Sequence, residues 1–186
     1  MMSFRMSALT AVLFLGLVAS VSADVLEVPA TAVVLPDDGS GVSRIALQFD
    51  LSGMRSGRGR VVQSAAILWE IPSLAANRKA GFAAYRLTAS WGVFGPDALS
   101  VVRALEEAPE ATVELFPQDM SRSGRKMMKL LVTDLARERV DLSTADLSVI
   151  VTSREVIRRT ILGELSGIRL RVRYGFLGDL APLLDR

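Results

Sequence analysis

The chain has 186 residues, half of them apolar, with 22 Lys and Arg against 20 Asp and Glu and a formal net charge of +2. It contains neither cysteine nor histidine, which excludes a Ser-His-Asp or Cys-His catalytic arrangement, a thiol nucleophile, disulfide staples and the ligands typical of zinc sites. Carboxylate-pair chemistry, a hard cation held by oxygen ligands, and binding without chemistry remain open. The high isoelectric point comes from arginines that do not titrate near neutrality together with the lack of histidine, so it does not point to nucleic acid.

Residues 1–23, MMSFRMSALTAVLFLGLVASVSA, read as a secretory signal. One cation, Arg5, precedes an apolar run over 8–19, and Val21, Ser22 and Ala23 supply small residues where a signal peptidase reads. The run is shorter than the ~20 residues that a bilayer span needs, and no later stretch approaches one. The mature chain is therefore expected to begin at Asp24 and to form one domain over 24–186, of a size that supports one sizeable core. Export leaves the periplasm, the cell surface and the medium open as destinations.

Short alternating segments separated by Gly, Pro, Asp and Ser then follow, the pattern of an antiparallel sandwich. The segment 25–34 predicts an edge strand, because Pro29 has no N–H to donate to a ladder. In 43–51, Ile45, Leu47, Phe49 and Leu51 share one face and Ala46, Gln48 and Asp50 the other. The glycine-rich turn 52–60 leads into 61–71, where Ala65, Ile67, Trp69 and Ile71 share a face and Pro72 ends the run, so the two strands read as a hairpin. Further strands are expected at 82–91, 111–116, 126–132, 145–153 and 167–176, about eight in all. Asp97 caps a predicted helix in which Ala98, Val101, Val102 and Leu105 share a face and which Pro109 ends, and a shorter helical turn fits 134–140.

The order of these segments resembles the DNRLRE-type secreted modules. The stretch Gln48-Phe49-Asp50-Leu51-Ser52-Gly53-Met54 is similar to the family's F-D-L-S-x-L strand and turn, and 61–71 to its I-x-S-A-x-L-x-L-x strand. Val132-Thr133-Asp134-Leu135 matches its V-T-D-L segment, Ser153-Arg154-Glu155 an S-R-E-like triplet, and 168–174 its closing L-x-V-x-Y strand. The resemblance covers about residues 44–176. Ser90-Trp91 matches half of another family feature, and a predicted helix replaces the tryptophan- and asparagine-rich stretch that often follows it. The resemblance implies an all-β fold, an antiparallel jelly-roll β-sandwich with one or two short helices, similar to carbohydrate-binding modules. It also implies an exported, non-catalytic protein that binds polysaccharide or helps to build an extracellular structure.

The residues offer three candidate sites. Trp69 and Tyr174 fall in register with core positions, whereas Trp91, beside Gly92 and the Phe94-Gly95-Pro96 turn, stands where a ring either packs or stacks on a sugar. In the closing strand Arg169, Arg171 and Arg173 alternate with Leu170, Val172 and Tyr174, placing three guanidiniums on one face. Arg154, Arg158 and Arg159 extend that stripe in sequence, giving a surface suited to an acidic polysaccharide or a solvated, charge-guarded sheet. Asp37, Asp38 and Asp50 are the candidate ligands of a structural calcium, with Asp134 as a further oxygen donor, against turn, cap and ion-pair roles. Glu106, Glu107 and Asp119 form no pattern favouring glycoside chemistry over a solvated surface, so no enzyme is expected. Self-association through an exposed strand edge is the competing role for a non-catalytic module.

Overall fold

Period-two alternation dominates the chain, and it becomes two packed sheets in a computed structural model that describes residues 24–36, 38–54, 59–71, 79–88, 95–116, 126–142, 146–154 and 167–176. The signal segment 1–23, Asp37, Trp91 with Gly92 and Phe94, Asp119, Glu155, Arg158 and Arg159 lie outside the described residues. Among the described residues nine strands follow one another: β1 (Asp24–Pro29), β2 (Thr31–Val34), β3 (Val42–Asp50), β4 (Arg60–Ile71), β5 (Ala80–Arg86), β6 (Ala111–Leu115), β7 (Lys126–Leu131), β8 (Asp146–Arg154) and β9 (Arg169–Phe176). Helix α1 (Ala98–Glu106) precedes β6 and helix α2 (Thr133–Asp141) follows β7. Among the described residues no helix is long and apolar enough to cross a membrane.

The strands form a four-stranded sheet in the order β1-β9-β4-β7 and a five-stranded sheet in the order β2-β3-β8-β5-β6, with antiparallel pairing throughout. Leaving β2 aside, four strands face four in the winding of a jelly roll, the all-β sandwich expected from the sequence. The inner faces carry the alternating apolar residues: Ile45, Leu47 and Phe49 of β3, Ile67, Trp69 and Ile71 of β4, Leu147, Val149 and Val151 of β8, and Leu170 and Val172 of β9 are all fully buried. Trp69 meets Phe82 of β5 edge-on across the layers, with centroids 6.1 Å apart at 67°. Tyr174 packs half-buried against the same core, with the Arg60 guanidinium 5.0 Å over its ring.

Three local expectations are corrected. The strands β3 and β4 do not form a hairpin, because they belong to different sheets. The connection carries the chain across the end of the sandwich: Asp50 accepts from Ser52 N–H at 2.8 Å, a 3-10 turn over Ser52–Met54 buries Met54, and Gly59 adopts φ +83° on entering β4. The first predicted strand is two, and the chain passes from one sheet edge to the other at Ala30, whose N–H donates to Ile168 O at 2.9 Å. Pro29 closes β1, an edge strand that among the described residues pairs only with β9.

Helix α1 starts as the sequence predicts: the Asp97 side chain accepts from Ser100 N–H at 2.6 Å. Its buried side differs from the expected face. Ala104 is buried with Val101 and Leu105 against Leu87 and Ile150 on the outer side of the five-stranded sheet, whereas Ala98 and Val102 are exposed. The helix stops at Glu106, short of Pro109. Helix α2 lies over β4, where a bulge between Val62 and Ser64 frees backbone carbonyls. Arg137 of α2 satisfies them, its Nε donating to Val62 O at 2.9 Å and Nη2 to Gln63 O at 3.4 Å. Arg86 of β5 ties the same helix to the other sheet, pairing with Glu110 at 2.9 Å and Glu138 at 2.7 Å.

Because Trp69 is fully buried and bridges the two layers, Trp69→Ala should lower the unfolding free energy by about 3–5 kcal/mol in urea denaturation. A loss below about 1 kcal/mol would place the ring outside the core.

Candidate functional site

Alternation that buries one side of each strand exposes the other, so each sheet presents an outer face whose residues are set by register. On the four-stranded sheet, Arg171 of β9 lies between Glu27 of β1 and Ala66 of β4, and Ala66 lies beside Leu131 of β7. Arg173 lies between Val25 and Ser64, and Arg169 between Pro29 and Leu68, with Lys129 next in the row. The three guanidiniums therefore share one face, as the alternation predicts.

Their environments differ. Glu27 sits between two of them: Arg171 donates from Nε to Glu27 Oε1 at 2.6 Å, and Arg169 Nε stands 3.2 Å from Oε2, close enough for ion pairing but not aligned as a hydrogen bond. Arg173 and Lys129 are exposed, and neither has an ion-pair partner among the described residues. The small side chains of Ser64 and Ala66 leave a groove of about 410 Å³ between the arginines and β7, lined also by Val25, Leu131, Leu68 and Lys129. Three cations and one carboxylate line it, so the groove is net basic. Its rim is partly apolar, with Val25 and Leu131 both more than half exposed.

The other predicted residues do not join this face. Arg154 ends β8, opposite Val42 on the five-stranded sheet, so sequence proximity to β9 does not bring it to the arginine stripe. Trp91 lies outside the described residues. Of the proposed calcium ligands, Asp38 pairs with Arg44 near the start of β3 and Asp50 ends the strand, about 20 Å beyond Arg44 along the extended chain, so they cannot share one ion. Asp37 lies outside the described residues, and Asp134 pairs with Arg137 at 3.0 Å. Among the described residues no group of three Asp or Glu side chains is placed to hold a metal ion.

A second outer surface was not read from the sequence. On the five-stranded sheet α1 covers Ile150 and Leu87, and beside it a groove of about 820 Å³ crosses β3, β8, β5 and β6. Arg44, Thr152, Ala83 and Thr112 form one row across those four strands. Tyr85 and Leu105 line the side towards α1, and Gly81 with the Lys79–Glu114 pair lines the other. The local signal was the outward triplet Gly81, Ala83 and Tyr85, whose small members lower the floor beside a ring. Its partners come from strands tens of residues away.

No protein-family model matches the chain, and a search of curated proteins finds no similar one.

Asp38 shows what holds a carboxylate that could have been a metal ligand. Its Oδ2 lies 2.8 Å from Arg44 Nη1, and its Oδ1 accepts from Ser40 N–H at 3.0 Å. The Arg44 hydrogen bond, followed by those from Ser40, holds the carboxyl well below the usual carboxylate range. A depressed carboxylate stabilises the fold above its unfolded value of ~3.9 and loses that contribution as pH falls below it towards the folded value. Carboxyl-carbon NMR should therefore find Asp38 still ionised at about pH 3; a midpoint near ~3.9 would show that the Arg44 pair does not form in solution.

Proposed function

We propose that the chain is an exported, non-catalytic module that binds an acidic polysaccharide across the outer face of the four-stranded sheet, in keeping with its resemblance to the DNRLRE-type secreted modules. The observation that carries this reading is the pair Arg173 and Lys129, exposed cations with no carboxylate partner among the described residues, beside a groove floored by Ser64 and Ala66. A carboxylated or sulfated chain supplies anions at regular spacing, which the Arg173 guanidinium receives through paired N–H donors and the Lys129 ammonium as a point charge. Glu27 holds Arg171 against the edge strand, which reduces the ordering a ligand has to impose there. Apolar Val25 and Leu131 at the rim offer contact to the C–H surface of a sugar.

The competing reading, assembly through sheet edges, finds no support on the four-stranded sheet, although β2 at the edge of the other sheet is short, uncharged and carries the exposed Val33 and Val34. Both edges of the four-stranded sheet carry the features that discourage strand addition: β1 bears Glu27 and ends in Pro29, and β7 carries Lys126 and Lys129.

Binding to alginate should weaken at least about tenfold in an Arg173→Glu/Lys129→Glu double variant, and also in the unmodified protein when salt is raised from about 0.05 M to about 0.5 M. Unchanged affinity in both experiments would reject the basic face as the site.

A further inference from the structure

We infer that the groove on the five-stranded sheet is a second binding site, selective for a neutral polysaccharide chain. The inference stands independently of the acidic-chain reading, because it concerns the opposite side of the sandwich and a different balance of charge.

The register defines the shape. The row Arg44, Thr152, Ala83 and Thr112 crosses three strand-to-strand intervals, about 14 Å at ~4.8 Å each, which is roughly a trisaccharide. Small or β-branched side chains at three of these four positions keep the floor low. The raised margin is α1, through Leu105, with Tyr85 at its foot. At about 820 Å³ the groove lies in the range of small-molecule sites, and it runs across the strands as a trench.

Charge selects the ligand class. Arg44 is matched by Asp38 at 2.8 Å and Lys79 by Glu114 at 3.0 Å, so each described cation of this groove already has its anion. An anionic chain finds no unmatched charge among these side chains, in contrast to the groove bearing Arg173 and Lys129. What the groove does offer is mixed: the half-buried Tyr85 ring, the Ala83 methyl and Leu105 on the apolar side, and the Thr112 and Thr152 hydroxyls, the Arg44 guanidinium and the Glu114 carboxylate on the polar side. A neutral sugar chain presents the complement, C–H faces that stack on a ring and hydroxyls that both donate and accept.

The test is calorimetric titration of the protein with cellohexaose, xylohexaose and mannohexaose at low and high salt. At least one of the three should bind, with an affinity that salt leaves within about twofold. Tyr85→Ala should reduce that affinity at least about tenfold. Gly81→Leu supplies a second variant that spares the fold: a Cβ at Gly81 meets no atom within 4 Å and its φ is not positive, so the added side chain fills the trench without a clash at the backbone. It should abolish binding at an unchanged melting temperature. Absence of binding to all three chains, a steep salt dependence, or full affinity retained in Gly81→Leu would each overturn the inference.

Discussion

The sandwich depends on the insertion of β9 between β1 and β4. Among the described residues the edge strand β1 has no other partner in its sheet, so its pairing rests on β9, and without β9 β4 loses a neighbour along most of its length. The inward residues Leu170 and Val172 are fully buried and complete the core that Trp69 and Phe82 begin. This pairing joins the first and last described elements of the chain, a contact of high sequence separation whose closure entropy must be met before the core is complete. The same strand sets the surface chemistry. Because strand side chains alternate strictly, the residues flanking and separating Leu170 and Val172 must point outward, and in this sequence they are Arg169, Arg171 and Arg173.

Period two was strong enough to locate almost every strand, since Ile45, Leu47 and Phe49 or Ile67, Trp69 and Ile71 leave no other face to bury. Pairing was not legible in the same way. The adjacent alternating runs of β3 and β4 carry a glycine-rich connection that suits a hairpin, yet burying both apolar faces requires the strands to sit on opposite layers. Alternation states which residues point inward and is silent about which sheet they point from. The face of α1 failed for a related reason. Its sequence gives two overlapping apolar stripes, and the groove left by Leu87 and Ile150 accepts the small Ala104, leaving Val102 in solvent.

For the candidate sites, the legible part was confined to single strands. The three arginines of β9 share a face by spacing alone, but the carboxylate that occupies two of them comes from β1, more than a hundred residues earlier, and only the register Glu27 to Arg171 reveals it. The aspartates show the opposite error. Asp38 and Asp50 are near in sequence, yet an extended strand carries the chain as far as it can reach per residue, so they end up towards opposite ends of it. The trench on the other sheet combines residues from four strands and a helix, of which Gly81, Ala83 and Tyr85 alone form a local pattern.

The two outer faces thus share one architecture and differ in charge: unmatched cations beside β9, matched pairs beside β5. The central claim is that the unmatched cations receive an acidic chain. The most direct test is NMR mapping of backbone amide shifts in isotope-labelled protein titrated with alginate oligosaccharides. The account predicts saturable shifts concentrated at Ala66, Lys129, Arg171 and Arg173, with the Arg44, Thr152, Ala83 and Thr112 row unmoved. Saturable shifts confined to that second row, or no saturable shifts anywhere, would contradict it.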